Sequence, residues 1–277
     1  MPSRADLHIH THFSDGEFSP EQIVQQAAGL GLRAIAIADH DTLAGVAPAV
    51  EVARRFSIQC IPAVEISCEL AEGEAHLLGY FVRAGDETPL SAMLAQFRTR
   101  RMDRARRIVQ KLAQLGMPLE WAEVQTLASG DSVGRPHIAR AMVARGYVAT
   151  VAEAFDRYLH RDGPAYVPRF RVAPEEAVRL IHEAGGVAVL AHPLDILDIV
   201  GGLAEDGLDG LEAYYPGYPP EISAQLAAIA SRYGLIVTGG SDYHGPRVSP
   251  GVEIGSVAVP DAVVPALCAR RQALRGD

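Results

Sequence analysis

Residues 5–16 read ADLHIHTHFSDG. The alternation of apolar and polar residues predicts an extended chain, in which alternate side chains share a face, so His8 and His10 stand side by side. A strand can offer two imidazoles to one metal in this way. Short runs of the same kind follow at 33–40 (RAIAIADH), 59–67 (QCIPAVEIS), 75–82 (AHLLGYFV), 186–192 (GVAVLAH), 210–215 (GLEAYY) and 235–244 (LIVTGGSDYH). Amphipathic stretches at 20–30, 44–56, 174–184 and 219–233 separate them, and this alternation predicts an α/β domain, a mainly parallel sheet or barrel with helices outside. From 88 to 166 the rhythm gives way to helical patterns such as LSAMLAQFRTRRMDRARRIVQKLAQLG and GRPHIARAMVARG. The expected organisation is therefore a barrel domain at 1–87 and 167–277 with an inserted helical subdomain at 88–166.

The chain has 277 residues, 48% of them hydrophobic, enough for a large core and an insertion. Its net charge of −9 argues against wholesale binding to a nucleic-acid duplex, where affinity comes mainly from neutralised phosphates. Cys60, Cys68 and Cys268 have no CxxC spacing, so metal chemistry must use histidine and carboxylate. No apolar run reaches the roughly 18–20 residues that span a bilayer, and MPSRADLHIH carries no apolar signal stretch. A cytoplasmic protein without membrane contact or an evident obligate protein partner is expected.

Polar residues gather at the predicted strand ends, where α/β sheets and barrels assemble active sites. His8 and His10 lie on the first strand, His40 ends the second, Glu65 ends the third, His76 falls in the fourth, His192 ends VAVLAH, and Asp242 and His244 close the last run. Asp15, in the loop after the first strand, joins them, although an Asp-Gly turn explains it equally well. Burying so many polar groups without a cation would be costly. Nine nitrogen and oxygen ligands exceed the roughly four to six that one ion takes, so two or three divalent ions are expected. The donor set suits manganese, iron or zinc. Such clustered ions lower the pKa of water and clamp phosphoryl oxygens, which points to phosphoryl chemistry.

A binuclear amidohydrolase barrel also begins with HxH, but many of those bridge their metals with a carboxylated lysine. Lys111 is the sole lysine here and lies in the insertion. Glu65 would have to bridge instead. No GxGxxG, GxxxxGK[ST] or GxSxG motif supports a nucleotide-fold or serine-hydrolase reading.

In combination, DLHIHTHFSDG, AIADHDT, VEIS, HLLGYF, LAHP and SDYHG resemble the ordered motifs of the PHP (polymerase and histidinol phosphatase) superfamily. The insertion with GRPHIA resembles the subgroup of bacterial 3′,5′-nucleotide bisphosphate phosphatases and related 5′-to-3′ RNA exonucleases. The resemblance implies a distorted (β/α)7 barrel with up to three divalent ions, often manganese. By motif, His8, His10, Glu65 and Asp242 would hold one ion, Glu65, His76 and His192 a second, and Asp15, His40 and His244 a third. Glu65, His192 and His244 would then be the catalytic residues. The alternatives are histidinol-phosphate phosphatase and a non-catalytic accessory domain.

Arg135 and His137 open a predicted helix, and a helix N-terminus favours anions, so they are candidates for gripping a second substrate phosphate. Arg169 and Arg171, where the chain returns to the barrel, are further candidates. Arg100, Arg104, Arg107 and Lys111 recur at helical spacing and would form a basic stripe able to guide short single-stranded RNA. The expected partner is a nucleotide bisphosphate, with short RNA as a second substrate.

Overall fold

The computed structural model describes residues 5–82, 88–127, 133–168 and 172–276. The chain forms two compact units, Met1–Leu94 with Arg171–Asp277, and Ala95–Phe170. The first unit starts with β1 (Ala5–Ile9), α1 (Pro20–Gly29), β2 (Ala34–Ile37), α2 (Val46–Arg55), β3 (Gln59–Glu69) and β4 (Glu74–Tyr80). Helix α3 (Pro89–Gln114) begins in the first unit and ends in the second, so the division falls inside a helix rather than at residue 88. The second unit continues with α4 (Trp121–Thr126), α5 (Arg135–Ala144) and α6 (Val151–Ala154). The first resumes with α7 (Pro174–Glu183), β5 (Val187–Leu190), α8 (Val200–Glu205), β6 (Gly210–Tyr214), α9 (Pro220–Arg232), β7 (Ile236–Gly239) and α10 (Val263–Arg275).

The seven strands lie in sequence order, and a bridge from Ile9 to Tyr243 brings the first strand to the end of the last, leaving a nearly closed barrel. The helices start where the local chemistry says they should. At α1, Ser19 and Gln22 exchange hydrogen bonds in a capping box, and Pro20 occupies the first turn. Ile23, Val24 and Ala27 then bury one face of that helix against Ile35, Ile37 and Ala49.

Strand β4 is antiparallel to both neighbours, β3 and β5, in a barrel whose other pairs run parallel. His76, near the start of β4, therefore comes level with the ends of the forward-running strands. Glu65 does not end the third strand, as the sequence reading has it. β3 continues to Glu69 because its second half pairs with β4, from Ala63 opposite Tyr80 to Glu69 opposite Glu74. Asp242 and His244 likewise lie beyond β7, which ends at Gly239.

One irregularity in β1 decides where the histidines point. Asp6 pairs with Ile35 but Ile9 pairs with Ile37, so three steps along β1 match two along β2. Such a bulge re-aims the side chains that follow it. Ala5 and Leu7 accordingly pack with Ala34, Ala36 and Ala38, whereas Ile9 packs with α1 in a different cluster. His8 and His10 alternate with Ile9, and both are buried.

The second unit has a core of its own, built from Ile108, Leu112, Leu119, Ile138, Met142 and Leu159 among others. Two of the four residues of the basic stripe expected on α3 serve this unit internally, while Arg100 and Arg107 are exposed. Arg104 is buried and its Nε donates to the Val167 carbonyl at 2.7 Å, and Lys111 Nζ donates to the Tyr166 carbonyl at 2.6 Å. These two residues fasten the returning chain to α3, which removes them from an exposed RNA track.

The approach of β1 to the turn after β7 leaves no room for a side chain at Gly240. A Cβ there would lie 2.4 Å from the His8 backbone nitrogen and 2.5 Å from its Cβ. Gly240→Ala should therefore cost about 1–3 kcal/mol by overpacking, read as a lowered melting temperature. An unchanged melting temperature would contradict this packing.

Candidate metal centre

Glu65 is buried, and five imidazoles surround its carboxylate. Oε2 lies 3.3 Å from His8 Nε2, 3.2 Å from His10 Nε2 and 3.0 Å from His40 Nδ1. Oε1 lies 2.9 Å from His76 Nδ1 and 3.2 Å from His192 Nε2. The two oxygens thus face two different sets of histidines. Asp242 Oδ1 completes one set, 3.3 Å from His8 Nε2 and 3.0 Å from His10 Nε2. His76 Nδ1 and His192 Nε2, 3.3 Å apart, complete the other. A third group joins His10, Asp15, His40 and His244, with His244 Nε2 3.3 Å from Asp15 Oδ1. All nine residues singled out by sequence come together, and the groups overlap: His10 belongs to two, and His40, beside Asp15 through Nε2, also reaches Glu65 through Nδ1.

The donor atoms fit cations better than they fit one another. His8 Nε2, His10 Nε2, His40 Nδ1, Glu65 Oε2 and Asp242 Oδ1 are buried and make no hydrogen bond among the described residues, although each lies within about 3.3 Å of another member of the set. Close approach without hydrogen-bond alignment is the arrangement of ligands around a shared centre, and leaving such groups unsatisfied would be costly. Imidazole and carboxylate donors without thiolate suit divalent cations.

Surrounding groups orient these ligands. Glu212, fully buried and absent from the sequence-based set, accepts from His8 Nδ1 at 3.0 Å and from the His192 backbone N–H at 2.9 Å. His244 Nδ1 donates to the Asp242 carbonyl at 2.8 Å. The two Nδ1 contacts turn the Nε2 lone pairs of His8 and His244 toward the cluster, the usual outer support of a metal ligand. Asp39 accepts from Thr11 N–H, Thr11 Oγ1 and Ser14 Oγ at 2.6–2.7 Å, which holds the loop carrying Asp15. Asp41 accepts from the Ser67 N–H at 2.9 Å, beside Glu65. The run Asp39-His40-Asp41 was the available signal for both. Asp41, His192 and Asp242 adopt left-handed backbone conformations, with φ of 54°, 30° and 49°, strain that non-glycine residues tolerate mainly at functional sites.

The substrate-binding candidates have structural partners. His137 Nδ1 accepts the Gly134 N–H at 2.9 Å, capping α5. Arg135 Nη1 donates to the Leu159 carbonyl at 3.0 Å, with the guanidinium over the Phe155 ring. Arg169 and Arg171 lie outside the described residues.

Electrostatics follow from this crowding. Burial disfavours charge on His10, but Asp242 and Glu65 outweigh it and lift the pKa to about 10. Burial likewise opposes protonation of His76, yet Glu65 and Glu74 raise it to about 9. Against burial, the imidazoles hold Glu65, Asp15 and Asp242 below the usual carboxylate range. At neutral pH, protons on His10 and His76 therefore stand in for cations, and cation binding must expel them. Apparent metal affinity should rise with pH and level off above about 10, with proton uptake by the buffer visible in calorimetry at pH 7. Binding without proton release would contradict this. Glu212→Gln should weaken metal binding about 10–100-fold while leaving the nine metal-site residues in place; unaltered affinity would remove Glu212 from the supporting role.

Comparison with known proteins agrees with this geometry. The PHP domain family matches residues 6–160. The 5′-3′ exoribonuclease Rnm of Escherichia coli is 38% identical over 261 residues, covering 90% of this chain and 87% of that protein. The phosphoribosyl 1,2-cyclic phosphate 1,2-diphosphodiesterase of Eggerthella lenta is 33% identical over 246 residues, 87% of this chain and 94% of that protein. The 3′,5′-nucleoside bisphosphate phosphatase of Chromobacterium violaceum is 31% identical over 256 residues, 87% of each. Among solved structures, a candidate metal-dependent phosphoesterase from Bifidobacterium adolescentis superposes with a TM-score of 0.83 at 35% identity, over 98% of both chains. The chain belongs to the PHP domain family.

Proposed function

We propose that this protein is a metal-dependent phosphoesterase that removes the 3′-phosphate of nucleoside 3′,5′-bisphosphates, as in adenosine 3′,5′-bisphosphate to AMP, and that the same site trims short RNA from its 5′ end. The observation that carries the reading is the nine-residue constellation centred on Glu65, whose buried donor atoms include several without a hydrogen bond among the described residues. The names of the relatives support the substrate class, because RNA, a nucleoside bisphosphate and a phosphoribosyl cyclic phosphate are all phosphate esters of ribose. Release of a 5′-nucleotide from RNA and removal of a 3′-phosphate from a bisphosphate break the same bond, between phosphorus and the 3′-oxygen. One site can serve both.

In the proposed assignment, His8, His10, Glu65 and Asp242 hold one divalent ion, Glu65, His76 and His192 a second, and Asp15, His40 and His244 a third, with manganese the leading choice. Bound there, the ions supply Lewis acidity toward the phosphoryl oxygens and lower the pKa of water beside the phosphorus. The protein's own groups do the rest. Glu65 stays ionised among its imidazoles, and Glu212 and the Asp242 carbonyl fix the tautomers of His8 and His244. The leaving 3′-oxygen needs a proton, which His192 or His244 would steer toward it rather than donate outright, because each is assigned to an ion. Arg135, His137, Arg169 and Arg171 are assigned to the 5′-phosphate, for which an arginine fork is well matched.

The test is phosphate release from adenosine 3′,5′-bisphosphate and histidinol phosphate by metal-stripped protein given manganese. The bisphosphate should be strongly preferred, Glu65→Ala should abolish turnover, and Arg135→Ala should reduce the preference. Faster release from histidinol phosphate, or full activity in Glu65→Ala, would overturn the proposal.

A further inference from the structure

Beside the metal centre the first unit holds a cleft of about 640 Å³, within the roughly 300–1,000 Å³ typical of small-molecule sites. One wall is the face of α9 formed by Pro220, Ser223, Ala224 and Ala227, and the facing wall comes from the segment after β7 that includes Val252 and Val257. Three of the chain's nine tyrosines, Tyr214, Tyr215 and Tyr218, line it, and among the described residues no charged side chain does. Such a cavity does not suit a phosphate. Its composition favours an uncharged, flat ring.

Tyr215 ties this cleft to the metal centre. Its hydroxyl donates to Asp242 Oδ2 at 2.8 Å, and its ring lies 5.5 Å from that of His192 and 5.1 Å from that of Tyr218. The Tyr218 hydroxyl accepts a hydrogen bond from the backbone of Leu194. Tyr215 thus borders both the metal centre and the tyrosine-lined cleft.

Resting on the phosphoesterase reading above, we propose that this cleft is the nucleobase site, with Tyr218 as the stacking surface and Tyr215 as the wall shared with the metal centre. The small residues of α9 leave room for the base. Stacking on an aromatic side chain tolerates any base, so the site selects nucleotides over other phosphate esters without reading base identity.

The experiment compares kcat/KM for adenosine 3′,5′-bisphosphate with that for 1-deoxyribose 3,5-bisphosphate, the same sugar without the base, using manganese-loaded full-length protein. The wild type should favour the base-bearing substrate, and the ratio should fall about tenfold or more in Tyr218→Ala, whereas Tyr218→Phe should keep it. Ala224→Phe, which fills the cleft from the α9 wall, should lower the same ratio. Unchanged ratios in both folded variants, verified by melting, would overturn the base site while leaving the phosphoesterase reading intact. Should the wild type hydrolyse neither compound, the phosphoesterase reading fails, and calorimetric titration with adenosine decides the cleft on its own. Binding that is lost in Tyr218→Ala and Ala224→Phe supports the site, and absence of binding to the wild type overturns it.

Discussion

A single carboxylate organises this molecule. Glu65 sits buried in a barrel, with five histidines around its two oxygens. An ionised carboxylate in such a place is tolerable only if positive charge meets it from several sides, either as imidazolium or as bound cations. The rest of the first unit supplies that charge. The bulge in β1 turns His8 and His10 toward Glu65, the reversed β4 carries His76 to the same level, and the left-handed turn at His192 brings a further imidazole. Each device is locally unfavourable or irregular. Together they converge on one acidic group.

The second layer explains why the convergence is stable. Glu212 uses one oxygen for His8 and the other for the backbone of His192, so it connects ligands on β1 and after β5 through a single buried side chain. β6, which carries Glu212, itself slips register against β7 between Glu212 and Tyr214. Asp39 and Asp41 flank His40, the first fastening the loop that carries Asp15 and the second holding Ser67 on β3. Phosphate-ester chemistry at this site therefore depends on residues that never touch the phosphorus.

Much of this was legible in the sequence because histidine and carboxylate at strand ends are chemically conspicuous. HxH in a strand pattern, the His40 strand end, LAH and SDYH led to the ligands without any knowledge of the fold. The geometry that unites them was less visible. Period-two reading places His8 and His10 on one face, but cannot show that a bulge sends Leu7 and Ile9, on the other face, into different clusters. A strand's direction leaves no trace in its own residues, so the antiparallel course of β4 and the extension of β3 past Glu65 were hidden. Glu212, in an ordinary GLEAYY strand, looked like any half-buried acid. Half of the α3 stripe misled for the opposite reason: helical spacing makes a stripe, and only packing shows that Arg104 and Lys111 turn to backbone carbonyls.

The most direct measurement of the central claim is anomalous diffraction from crystals of the manganese-loaded protein. The account predicts two or three manganese peaks, two of them on opposite oxygens of Glu65, one within coordination distance of His8 Nε2 and His10 Nε2 and the other within reach of His76 and His192. A single peak that leaves Glu65 uncoordinated, or none within the cluster, would contradict it.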